Sequence, residues 1–226
     1  MKPLTEEHLA TLRRHMVEVI DIEYDLTADD TGRERMDERL REAMLRIPRH
    51  LFVPAPIAAM AYHDRPLPIG FDKTISQPFM SALMIDLLDL RPGDRVLEVG
   101  TGLGYQSALL AGLAGEVWSV DVVEEFVVAA AARLKLLECT NVMLRIGDGS
   151  RGWPEMAPFD AILVSAAARE MPEALAGQLE VGGRMVLPIG DKGTAQRLTR
   201  VERTDDAEVA ATEIMAVNFT ELETAL

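Results

Sequence analysis

The chain has 226 residues, 48% of them hydrophobic, enough for one substantial core with additions and too few for two full domains. Its 23 basic side chains against 37 acidic ones give a formal charge of −14, which disfavours nucleic acid as a non-specific partner. A lone cysteine, Cys139, excludes an intrachain disulfide and reads as a packing residue, since no Cys/His spacing of a metal site surrounds it. The Met1–His8 segment is polar and lacks an apolar core of signal-peptide length, and no run of about 18 apolar residues follows. A soluble cytoplasmic protein without membrane association is the expectation.

Leu9, Leu12, Met16 and Ile20 recur at intervals of three and four, the period of one buried helix face, and predict an amphipathic helix from Thr5 to about Ile20. Asp21 to Gly32 is acidic and turn-rich. A second helical pattern, Met36, Leu40, Met44 and Ile47, ends at Pro48, so the region reads as a helical N-terminal cap. Between Leu51 and Pro78, the breakers Pro54, Pro56, Pro66, Pro68 and Gly70 preclude regular helix and predict an ordered loop region. Pro78 suits the first turn of a helix capped by Ser76 or Gln77 and carried onward by Leu83, Met84, Leu87 and Leu88.

From Arg95 the rhythm becomes regular. Strands at Val96–Val99, Val117–Val120, Val142–Ile146, Ala161–Val164 and Met185–Ile189 alternate with a helix to about Ala114, a helix over Glu124–Leu137 and one near Pro172–Leu179. Such alternation means parallel βαβ units. After Gly190, Gln196–Val201 and Ile214–Phe219 read as strands joined by the polar segment Glu202–Val209, a terminal antiparallel hairpin. The expected fold is α/β, a doubly wound, mostly parallel seven-stranded sheet. Residues 1–78 would cover one side of it and residues 79–226 form the main unit of one globular whole.

The strongest local signal is Glu98-Val99-Gly100-Thr101-Gly102-Leu103-Gly104, where a buried strand stops and a helix begins. Glycines there let the backbone approach a ligand, and the helix start offers unpaired N–H groups. A dinucleotide fingerprint needs its third glycine where Tyr105 stands; Gly104 comes two places after Gly102 instead. This form, with Glu98 before it, resembles the nucleoside–methionine pattern of methyltransferases. Asp121 closes the second strand 21 residues beyond Gly100, where a carboxylate can accept from both ribose hydroxyls or, alternatively, cap the following helix. Asp148, in Gly147-Asp148-Gly149, closes the third strand and could take an adenine amino group or serve as a turn aspartate.

Three further stretches carry a more specific resemblance: Ile47-Pro48-Arg49-His50-Leu51-Phe52-Val53-Pro54, Tyr62-His63-Asp64-Arg65-Pro66-Leu67-Pro68-Ile69-Gly70 and Thr74-Ile75-Ser76-Gln77-Pro78. With Leu97–Gln106, Gly147–Gly149, Pro158–Ile162 and Gly182–Arg184, they resemble, in order, the motifs of the protein-L-isoaspartate O-methyltransferases. The resemblance implies S-adenosyl-L-methionine as cofactor, S-adenosyl-L-homocysteine as product and isoaspartyl proteins or peptides as acceptors. It implies cofactor contacts from Glu98, Gly100, Thr101, Gly102, Gly104, Tyr105, Gln106, Asp121, Val122, Asp148 and Gly149. Ser76 would lie beside the methyl donor and the acceptor carboxylate, with Thr74, Ile75 and His63 on the acceptor side. Ser76 also suits a helix N-cap, and His63 also suits a loop or packing residue.

No Ser/His/Asp or metal-like arrangement is present, and none is needed, because a carboxylate acceptor is already an anion and a sulfonium already activated. The acidic N-terminal extension and the Val217–Leu222 segment depart from the family pattern. They leave open a tailoring methyltransferase that esterifies an aspartate of one dedicated peptide. A nucleic-acid amino-methyltransferase would carry an Asn/Asp-Pro-Pro-aromatic motif where Ser165-Ala166-Ala167-Ala168 follows Val164.

Overall fold

The computed structural model describes residues 5–191, 193, 195–205 and 208–224. Helix α1 (Glu6–Leu26) is capped by the Thr5 side chain, which accepts from the His8 N–H, and buries Met16, Val17, Ile20 and Tyr24. Tyr24 continues the apolar stripe one turn past Ile20 and packs edge-on against Phe79, with ring centroids 5.6 Å apart. Asp21 pairs with Arg41. The segment expected to turn from Asp21 therefore stays helical, because its buried face outweighs its acidic composition. The chain turns at Thr27, whose Oγ1 donates to the Glu23 carbonyl, and the single-turn helix α2 (Ala28–Thr31) ends on a left-handed Gly32. Helix α3 (Glu38–Arg46) is capped by Asp37 and buries Leu40, Ala43 and Met44.

The region expected as loop contains an antiparallel hairpin, β1 (Leu67–Gly70) with β2 (Lys73–Ile75). Leu67 and Ile69 point inward while Pro68 and Gly70 point outward, so the breakers occupy only the exposed face. Every residue of helix α4 (Pro78–Asp86) is buried. Its N-terminus is capped from outside: Asp64 Oδ1 accepts from the Phe79 N–H at 2.8 Å and Asp64 Oδ2 from Gln77 Nε2 at 2.6 Å. Gln77 holds the cap position, but neither it nor Ser76 supplies the capping oxygen.

Five parallel strands follow, β3 (Arg95–Val99), β4 (Glu116–Asp121), β5 (Val142–Ile146), β6 (Phe159–Val164) and β7 (Leu179–Ile189). Antiparallel β8 (Gln196–Arg203) and β9 (Val209–Val217) extend the sheet, whose order is β5-β4-β3-β6-β7-β8-β9. Helices α5 (Tyr105–Ala111) and α6 (Glu124–Leu136) make the first two crossovers. The helix expected near Pro172–Leu179 is one turn, α7 (Glu173–Ala176), because Leu179 already opens β7 opposite Phe159. The polar segment from Glu202 is strand rather than linker at its start, with Arg203 opposite Val209. One apolar cluster joins the N-terminal helices to one sheet face, through residues such as Met16, Leu83, Leu109 and Leu163. Leu97, Ile162 and Met185 belong to a second cluster on the other face. Strand order reverses between β3 and β6, so a crevice opens at their carboxyl ends, where doubly wound sheets bind ligands. Among the described residues no helix is long and apolar enough to cross a membrane.

Candidate active site

Val99 ends β3, and Gly100, Gly102 and Gly104 all take positive φ values of 97°, 51° and 94° before α5 begins. The values near 95° at Gly100 and Gly104 are open to glycine without strain, and the one at Gly102 favours it. A Cβ on Gly104 would also lie 3.0 Å from Ala130 Cβ, so that position is set by packing of the helix start against α6. The Gly102 N–H donates to Asp121 Oδ2 at 2.8 Å and the Val123 N–H to Asp121 Oδ1 at 2.9 Å. One strand-end carboxylate thus ties the glycine turn to the start of α6 while still lining the crevice. Burial pushes the Asp121 carboxyl above the ordinary carboxylate range, against the pull of those two donors.

Glu98 lies beneath the turn, with no exposed surface. Its Oε2 accepts from Ser119 Oγ at 2.6 Å and from Ser107 Oγ, and Thr101 Oγ1 lies 2.6 Å from Ser119 Oγ. Because the Ser119 hydrogen goes to Glu98, Thr101 is the donor in that second contact. The chain of bonds fastens β3, β4, α5 and the glycine turn to one another. Burial raises the Glu98 carboxyl to about 7, and the two serine donors oppose that rise.

Above the turn is a cleft of about 810 Å³, its open mouth included. Of the residues singled out in the sequence, Thr74, Ile75, Ser76, Gly100, Thr101, Gly102, Tyr105, Gln106, Asp121, Val122 and Gly149 line it. Glu98 and Gly104 stand behind the wall. Asp148 caps the short turn after β5 through the N–H and hydroxyl of Ser150, next to Gly149 but outside the lining. His63 is exposed on the loop before Asp64 and does not reach the cleft.

Sequence reasoning missed several lining residues. Ile69 and Lys73 come from the hairpin, Phe126 from α6 and Ser165 from the end of β6, where Ser165 Oγ donates to Gln106 Oε1 at 3.2 Å. Residues 220–223 cross the carboxyl edge of the sheet, held by Ala167 N–H to the Thr220 carbonyl at 2.8 Å and Leu222 N–H to the Ala167 carbonyl at 2.9 Å. Glu223 forms an ion pair with Lys73, so this strap and the hairpin meet over the cleft. Lys73 precedes Thr74, Ile69 lies in the Tyr62–Gly70 stretch and Ser165 follows a strand; the strap overlaps Val217–Leu222, which the sequence marked only as a departure from the family pattern.

The donor set suits an adenosine ligand with an amino-acid arm. The Asp121 carboxylate is able to accept from hydroxyl groups, backbone glycines allow close approach, and apolar Ile69, Val122 and Phe126 line the same cleft. A Cβ on Gly149 would fall 2.5 Å from Val99 Cγ1, so the cradle is closed to any larger residue there. Sheet order, glycine turn and strand-end carboxylate together define an S-adenosylmethionine-dependent methyltransferase domain.

The family model for protein-L-isoaspartate(D-aspartate) O-methyltransferase matches residues 27–225, and the chain belongs to that family. It is 48% identical over 196 residues to protein-L-isoaspartate O-methyltransferase 2 of Polaromonas sp., covering 87% of this chain and 93% of that one. A solved protein-L-isoaspartate O-methyltransferase superposes with a TM-score of 0.79 at 28% identity; 92% of this chain is covered, and it spans 65% of that chain's length. A putative protein-L-isoaspartate O-methyltransferase from Plasmodium falciparum, solved with S-adenosyl-L-homocysteine, gives 0.73 at 26% identity over 83% of this chain and 91% of that one.

Proposed function

We propose that this protein transfers a methyl group from S-adenosylmethionine to the α-carboxylate of L-isoaspartyl residues in damaged cytoplasmic proteins and peptides. The observation that carries the reading is that the Thr74–Ser76 wall and the Gly100–Asp121 wall face one cleft. In this reading residues 79–226 hold the cofactor and residues 1–78 form the acceptor side.

Gly100, Gly102, Asp121, Val122 and Gly149 would hold the cofactor, Asp121 by accepting from ribose hydroxyls. The bound cofactor supplies an activated methyl group on a sulfonium. Ser76, on the opposing wall, orients the acceptor carboxylate with its hydroxyl, while Ile69, Ile75, Phe126 and Leu222 exclude water. The acceptor is an anion at neutral pH, so alignment and desolvation are what the chain must provide, and no general base is required. The following backbone amide nitrogen of the acceptor then displaces methanol from the ester to give a succinimide, and water opens that ring partly to aspartate, which is repair.

A radiolabelled methyl-transfer assay tests this with an isoaspartyl peptide, its aspartyl twin and a mixed lysate. The aspartyl peptide should react at least tens of times more slowly, because displacing the carboxylate by about 1 Å from alignment can cost on the order of a hundredfold. Equal rates on the two peptides would refute the repair reading, and labelling of one lysate protein alone would point to a dedicated partner.

A further inference from the structure

Arg49 is buried completely, among the largest fully buried side chains of the described residues. Its Nε donates to the Ala61 carbonyl at 2.9 Å, its Nη2 to the Ser76 carbonyl at 2.6 Å, and its Cζ lies 4.8 Å from the centre of the Tyr105 ring. Nη1 has no hydrogen-bond partner among the described residues. Burial works against the Arg49 charge, and the neighbouring Tyr105 and Asp64 support it, Asp64 without a direct bond because its oxygens are taken by Gln77 and Phe79.

A guanidinium sunk in the interior without a bridging carboxylate is a costly way to fill space, and an apolar side chain of similar volume would pack there at less expense. Its neighbours explain the choice. Ser76 and Tyr105 both line the cleft, so the charge stands one peptide group and one ring behind the wall. Because the Ser76 carbonyl is turned inward onto Arg49, its negative end is withdrawn from any anion on the other side.

Resting on the reading of the Thr74–Ser76 wall as the acceptor side, we propose that Arg49 is a positioning residue that makes this half of the cleft a subsite for an anion. It fixes the backbone of Ser76 and supplies the positive field that an ionised acceptor carboxylate meets.

The test compares the full-length wild type, Arg49→Lys and Arg49→Met, each saturated with S-adenosylhomocysteine. Two peptides compete for binding: the isoaspartyl peptide and its isosteric analogue with the α-carboxylate replaced by carboxamide. The wild type should prefer the carboxylate by about tenfold or more, as expected for one charge facing a partly desolvated anion. Arg49→Lys should keep most of that preference. Arg49→Met should reduce it to about twofold while binding S-adenosylhomocysteine nearly as the wild type does, because loss of one monopole removes the charge contrast and leaves shape.

A purely structural arginine would weaken both peptides alike and leave their ratio unchanged; that result overturns the inference. If Arg49→Met fails to fold, Arg49→Gln, which keeps a donor for the Ser76 carbonyl without the charge, takes its place and should show the same fall to about twofold; an unchanged ratio there also overturns the inference. Failure of the wild type to bind or methylate any isoaspartyl peptide would instead refute the functional reading and the role of Arg49 with it. Methylation with an unchanged ratio in Arg49→Met would refute only the latter.

Discussion

Replacing Glu98 by Gln should flatten a pH dependence of stability that the wild type carries. Glu98 has no exposed surface, and the Ser107 and Ser119 hydroxyls both donate to its Oε2, while Oε1 has no partner among the described residues. Burial raises its carboxyl from an ordinary 4.5 to about 7. Between those two values the folded protein keeps a proton that the unfolded chain has released, so the unfolded state binds fewer protons and stability falls as pH rises through the window. At 1.36 kcal/mol per pH unit the loss is about 3 kcal/mol, an order-of-magnitude figure for one fully buried group.

Glutamine preserves an oxygen for the two serines and does not titrate. Urea unfolding of wild type and Glu98→Gln at pH 4.5 and pH 7.5 gives the assay. The difference in stability between the two proteins should move by about 3 kcal/mol in favour of the variant at the higher pH. Asp86 and Asp121, whose carboxyls burial also raises, are common to both proteins and largely cancel. Parallel stability profiles would refute the assignment of a proton to buried Glu98.

Asp121→Ala removes the acceptor of the Gly102 and Val123 N–H groups as well as the proposed ribose contact. Stability should fall by about 1–3 kcal/mol, and calorimetry on the folded variant should show S-adenosylhomocysteine weakened by roughly thirtyfold; unchanged affinity would remove Asp121 from the site. Ser76→Ala should slow single-turnover methyl transfer with little change in cofactor affinity. Since Asp64 caps α4, thermal melts should show none of the roughly 1 kcal/mol loss expected of a lost N-cap. Gly149→Ala places a methyl 2.5 Å from Val99 Cγ1 in a buried wall, so denaturant melts should report a loss of about 1–3 kcal/mol, with cofactor binding weakened as well.

Periodicity and turn chemistry are local, and the features they govern were legible in the sequence. The βαβ rhythm from Arg95 follows from apolar runs and their breakers. The glycine turn follows from three positions that require positive φ, and Asp121 from its place at a strand end. The Thr74–Ser76 wall was legible through family resemblance. Element ends were less so: α1 runs to Leu26 because Tyr24 finds Phe79 across the core, a contact no window around Asp21 contains.

The site's remaining parts depend on residues far apart in the chain. Glu98 looked like a lining residue because it stands beside the glycines, but strand alternation turns it away from the crevice onto Ser119 and Ser107. Lys73 meets Glu223 across 150 positions, and Arg49 reaches the Ser76 carbonyl across 27. Only the packed sheet brings the strap at residues 220–223 over the carboxyl ends of β3 and β6, because the bonds that hold it are to Ala167, on the loop after β6. Local sequence determined which residues could bind a nucleoside at a strand end. Tertiary closure decided which side chains face that ligand, because the direction of a side chain is set by what packs behind it.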